Sequence, residues 1–142
     1  MFEQYKLILI PFIALIIAQL LKVLFQSVIE KKFSWKSFNQ YGGFPSAHMA
    51  LVTTLITVIG LEFGLSSGLF AVSAVVAFLI FRDATGFRKT LGTHAKFLNK
   101  LVVDLPDFKE NKYPFLEETL GHTYTQAVAG IILGFLIALL LV

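Results

Sequence analysis

Two histidines far apart in the chain, His48 and His122, each stand beside a glycine turn and at the start of an apolar run. The first lies in Gly42-Gly43-Phe44-Pro45-Ser46-Ala47-His48 and the second in Leu120-Gly121-His122-Thr123. A glycine turn running into a helix start leaves first-turn N–H groups without intrahelical acceptors, and Ser46 can cap one of them. A helix start carries about half a positive charge and suits phosphate. It also lowers a histidine pKa, favouring the neutral and nucleophilic imidazole. Three more residues belong at the same depth by position: Lys22 near the end of the first apolar run, and Asp83 and Arg88 just after the third. Lys22, Ser46 and Arg88 would grip a phosphate. One histidine could then attack phosphorus while the other protonates the leaving oxygen.

Four apolar runs must bring these residues together. About 20 mostly apolar residues cross a bilayer, with a range of roughly 17–25. The runs are Leu7–Ile29, Ala47–Gly64, Leu65–Phe81 and His122–Val142, and the second and third adjoin in a tight hairpin. Pro11 lies inside the first and predicts a kink without a break. Gly130 and Gly134 form a G-x-x-x-G face in the last, for close approach within the molecule or between copies. The two polar stretches, Glu30–Ser46 and Arg82–Gly121, then fall on one side of the membrane. In the second, Leu91, Ala95, Leu98, Val102 and Leu105 recur at helical spacing, with Lys89, Lys96 and Lys100 elsewhere on the wheel. Lys89–Leu105 is therefore expected to be an amphipathic helix lying in the interface. His94 falls on the surface of that helix.

The expected fold is all-α: one membrane domain spanning residues 1–142, with four transmembrane helices and one interfacial helix. Composition agrees. Hydrophobic residues make up 56% of the 142 and charged residues 15%, against about 25% charged in soluble domains. The absence of cysteine excludes a disulfide framework and a thiolate metal site. The net charge of +3 and the lack of a basic stripe interleaved with aromatics exclude a nucleic-acid partner. Ten of the 12 Lys and Arg residues lie on the side of the polar stretches and only Lys6 on the other. The positive-inside rule places that side in the cytoplasm and both termini outside. Four short spans make a thin bundle, which leaves homo-oligomerisation open.

The chain resembles the divergent branch of the type 2 phosphatidic acid phosphatase superfamily, related to acid phosphatases and vanadium-dependent haloperoxidases. The resemblance rests on the Gly42–His48 stretch, Asp83-Ala84-Thr85-Gly86-Phe87-Arg88, Leu98-Asn99, and Glu118-Thr119-Leu120-Gly121-His122-Thr123 followed by Gln126. The superfamily's metal-independent phosphatases carry K-x6-R-P, P-S-G-H and S-R-x5-H-x3-D. Pro45-Ser46-Ala47-His48 matches the second with Ala for Gly, and Lys22 matches the first lysine, with Ile29-Glu30 where Arg-Pro would stand. His122 falls at the third motif's histidine, with Gln126 at the aspartate position and Leu116 where an arginine would be. The resemblance implies His122 as nucleophile through phosphohistidine and His48 as general acid. Gln126 or Asp83 would orient His122, and Lys22, Ser46 and Arg88 would hold phosphate. No cofactor or metal is implied. The substrate would be a membrane lipid with a phosphate headgroup, its phosphomonoester or pyrophosphate hydrolysed. The alternative is a non-catalytic lipid-phosphate binder or transport component that kept the anion pocket.

Overall fold

The structure is a computed structural model that describes residues 2–31, 42–104 and 114–142. Helix α1 spans Phe2–Glu30, α2 Ala47–Phe63 and α3 Gly68–Arg82. A π-helical turn, Asp83–Phe87, leads into α4, Arg88–Val103, and α5 spans Tyr124–Leu141. No strand occurs among the described residues. The all-helical expectation holds. Pro11 lies within α1, which continues past it. Three helical runs are long and apolar enough to cross a bilayer: Gln4–Ile29, Gly68–Val103 and Tyr124–Leu141. The 17-residue α2 is the shorter fourth, about 25 Å long at helical rise.

Helix α2 is the hub, packed against α1, α3 and α5, and α1 also touches α5. Its contacts are built from small side chains. Ala18, Ala47 and Ala50 form one buried cluster, and Ala14 and Ala138 join Ile10, Val58 and Ile137 in another. This suits a membrane interior, where helices associate by close packing because lipid removes the hydrophobic drive between them. The G-x-x-x-G face is used within the molecule. A Cβ on Gly130 would lie 2.3 Å from the Ser46 carbonyl oxygen, and one on Gly134 would lie 2.3 Å from that of Ala50. At this closest approach the Thr54 hydroxyl reaches the Gly134 carbonyl at 2.8 Å. Helices α2 and α5 therefore run parallel with their N-termini side by side. The large apolar side chains, such as Leu24, Phe78 and Leu140, point outward into what must be lipid.

Two differences from the sequence reading bear on the site: the end of the third helix and the start of the last. The third span was expected to end at Phe81 and give way to a loop. Helix continues instead, through the π turn, to Val103. A π turn inserts one residue into a helix without breaking it, and here the Arg88 N–H bonds back to the Asp83 carbonyl. The amphipathic helix exists close to its expected place, but its inward face is Gly92, Ala95 and Asn99. Leu91 and Leu98 of the expected stripe are exposed, and Leu105 lies outside the described residues. The expected stripe is therefore split, with Ala95 on the inward face and Leu91 and Leu98 outside it. The last helix starts at Tyr124, two residues late, because Thr123 caps it.

Candidate functional site

The chain enters α2 through Ser46, which is fully buried and caps the helix by accepting the Met49 N–H at 3.4 Å. The Ser46 N–H donates to the Gln126 carbonyl at 3.0 Å, locking the two helix starts together. His48, the second residue of α2, is exposed. The N–H groups of Ala47 and His48, in the first turn, have no intrahelical acceptor.

His122 lies just before α5 and is 8% exposed. Its N–H donates to the Ala84 carbonyl at 2.9 Å, so the π turn holds the backbone beneath this imidazole. Gly121 allows the approach. Its φ is +88°, and a Cβ there would lie 2.4 Å from the Lys89 nitrogen. The His122 Nδ1 is buried and has no hydrogen-bond partner among the described residues. Burial lowers the His122 pKa from the ordinary histidine value. The Gln126 side chain and the Gly43 backbone, both near the ring, oppose that shift, while the charges of His48 and Lys22 reinforce it.

Around this imidazole lies a cleft of about 280 Å³ walled by Gly42, Gly43, Lys89, the 118–123 stretch and Gln126. Lys22 is buried at 5% exposure, so it does not snorkel to the surface. Its side chain packs under Gly43, where a Cβ would come within 2.8 Å of Lys22 Cε. Arg88 and Asp83 pair at 2.5 Å, both part-exposed, and both act electrostatically on His48 along with Lys22. Lys22, His48, Asp83, Arg88, His122 and Gln126 are thus gathered at one end of the bundle. At the other end the Lys6–Glu62 ion pair, 2.7 Å, ties α1 to α2.

The expected orienting groups are engaged elsewhere. The Gln126 side-chain Oε1 accepts the Thr123 backbone N–H at 2.9 Å, and Thr123 Oγ1 accepts the Gln126 backbone N–H at 3.3 Å, a reciprocal capping box. Asp83 is held by Arg88 and Glu118 by Asn99. Sequence reasoning missed three participants. Lys89 lines the cleft and stands 5.8 Å over the Tyr124 ring. Asn99 binds the cleft wall, and Gly92 packs beneath it. The Thr123…Gln126 spacing is itself a cap signature and could have placed the start of α5. His94 is exposed on α4, as expected.

These features define an all-helical integral membrane protein with a buried histidine at the floor of a polar cleft. The family model described as the Divergent PAP2 family matches residues 3–137, and the chain belongs to that family. It is 40% identical over 139 residues to the uncharacterized membrane protein YuiD of Bacillus subtilis (strain 168), across 90% of this chain and 88% of that protein. No solved structure matches the chain.

Proposed function

We propose that the protein hydrolyses a phosphomonoester or pyrophosphate of a phospholipid or prenyl lipid at the membrane surface, without a metal, through a phosphohistidine on His122. The observation that supports this best is the His122 ring. It is buried, held neutral by that burial, unpartnered at Nδ1, and faces a cleft beside a second histidine. Nδ1 is sealed inside, which leaves Nε2 to attack phosphorus. His48 gives a proton to the departing lipid oxygen, then takes one from the water that cleaves the phosphohistidine and releases phosphate. Lys22, Arg88 and the first-turn N–H groups of α2 hold the phosphoryl oxygens, with Ser46 shaping that helix start. The Gly43 backbone and the Gln126 side chain, which both act on the ring, are the groups that would hold its N–H and fix the tautomer. The test is phosphate release by the purified protein in mixed micelles with EDTA, across phospholipid and prenyl phosphates. Release in EDTA is expected.

A second reading, a lipid-phosphate binder without turnover, is favoured by one observation. Among the described residues no carboxylate is bonded to His122, and Asp83 and Glu118 are engaged by Arg88 and Asn99. An amide in place of an orienting carboxylate cost about four orders of magnitude in another scaffold. Phosphate binding with no release on any lipid would select this reading.

The lowered His122 pKa gives a pH expectation. The free imidazole stays neutral to below the ordinary value of 6.5, so the acid limb of kcat/KM should lie below pH 6.5. A limb centred above pH 7 would remove His122 as the group that must be neutral. The same shift acts on stability. Unfolded chain takes up the proton near its ordinary pKa while the folded protein resists it, so this contribution is lost as pH falls through about 6.5.

The polar end is assigned to the cytoplasm from the distribution of Lys and Arg. A cysteine replacing the exposed Lys96 should resist an impermeant thiol reagent in intact cells and react after lysis. Labelling from outside would reverse the orientation.

A further inference from the structure

Asn99 lies on α4, 7% exposed and well away in sequence from the segment it holds. Its Oδ1 accepts the Leu116 N–H at 2.9 Å, and its Nδ2 donates to the Leu116 carbonyl at 2.9 Å and to Glu118 Oε1 at 2.8 Å. A side-chain amide is here doing what a neighbouring strand would do: it satisfies both backbone groups of one residue. Only a carboxamide carries a donor pair and an acceptor in that geometry. Aspartate lacks the donors and serine lacks the reach. About two turns earlier on the same face, Gly92 admits the wall so closely that a Cβ would lie 2.8 Å from the Glu118 and Leu120 carbonyl oxygens.

The segment so held, Leu116 to Leu120, runs directly into Gly121 and His122 and forms one side of the cleft. Helix α4 has no substantial contact with α1, α2 or α5. Its inward face serves this wall instead of the bundle. Glu118, the one acidic residue among the described residues that line the cleft, has one carboxylate oxygen committed to Asn99.

We propose that Asn99 is a positioning residue of the histidine cleft: its carboxamide clasps Leu116 and Glu118, sets the wall that leads to His122, and fixes where the Glu118 charge sits relative to a bound phosphate. This rests on the reading of the cleft as a phosphate site, but the clasp itself is open to a separate measurement.

Asn99→Asp keeps the size of the side chain, removes both donations, and sets a second carboxylate against Glu118. Two carboxylates at this range share a proton, and the second of the pair's two titration steps is raised above the ordinary carboxylate range. Binding of inorganic phosphate to the full chain in detergent micelles should weaken about ten-fold at pH 7.5, the scale of losing buried hydrogen bonds. The ratio to wild type should recover as pH is lowered toward 5. Adding Glu118→Gln restores a donor facing the new aspartate. The double variant should regain part of the affinity and lose the pH dependence of that ratio. A ratio near one at all pH values, or a double variant as impaired as the single one at every pH, overturns the proposal.

Hydrogen exchange on the wild type needs no variant to fold. The Leu116 amide should exchange more slowly than that of Glu117, although Leu116 is itself exposed. Equal rates at the two positions overturn the clasp. If wild type binds no phosphate, the site reading fails, and the exchange pattern still decides whether Asn99 holds the wall.

Discussion

His122→Ala should abolish turnover, by on the order of 10⁴-fold or more, while leaving phosphate binding largely in place. The two effects separate because different atoms carry them. The covalent bond to phosphorus needs the imidazole. The phosphoryl oxygens are gripped by Lys22, Arg88 and the first-turn N–H groups of α2, none of which hangs from residue 122. The main chain should survive the change, because the bond that seats residue 122 is its own N–H on the Ala84 carbonyl, which alanine keeps. Removal of an unpartnered buried nitrogen also relieves a desolvation cost. Single-turnover assays with a lipid phosphate, beside phosphate titrations on the same preparation, give both numbers. Undiminished hydrolysis by the variant would take the nucleophile's role from His122. Loss of binding together with turnover would make the residue part of the grip.

Gly130→Ala should be strongly damaging to the bundle. The added Cβ would sit 2.3 Å from the Ser46 carbonyl oxygen and 3.0 Å from Met49 Cβ. The obstacle is main chain in the first turn of α2, so no rotamer change makes room. Helix α5 must back away from α2, which breaks the Ser46–Gln126 backbone bond and opens the small-residue seam. Overpacking of this kind costs about 1–3 kcal/mol, occasionally more. Because it acts at the paired helix starts, phosphate affinity should fall along with the melting temperature. Gly68→Ala is the matched control, since a Cβ there meets nothing within 4 Å. Equal thermal stability of the two variants would show that the α2–α5 seam is looser than drawn here.

The four main helices were readable because a bilayer imposes length and apolarity on every span, and those are properties of local sequence. Ser46 as a cap was readable for the same reason: the signature and its partner, Met49, lie three residues apart. The convergence of Lys22, His48, Arg88 and His122 followed from topology alone, since hairpin connections return alternate helix ends to one side. What sequence could not give was partnership across long separations. Gln126 stands where the resemblance puts an orienting aspartate, but Thr123 starts the helix between it and His122 and takes the Gln126 side-chain oxygen. Asn99 stood in the Leu98-Asn99 pair that carries the resemblance, but what it holds gave no local sign, since its acceptors lie 17 and 19 residues on. The α4 wheel showed an apolar stripe, and amphipathicity does not say whether that stripe meets protein or lipid.

The π turn joins a helix that meets lipid to a helix that holds the cleft wall, with no loop between them. The carbonyl that seats His122 belongs to that turn. Rods joined without slack transmit angle. A bilayer whose hydrocarbon thickness does not match the span is accommodated in part by tilting the helix. For this chain, any change in the tilt of Gly68–Arg82 is also a change in the direction in which the Ala84 carbonyl points, and so in the aim of the imidazole above it.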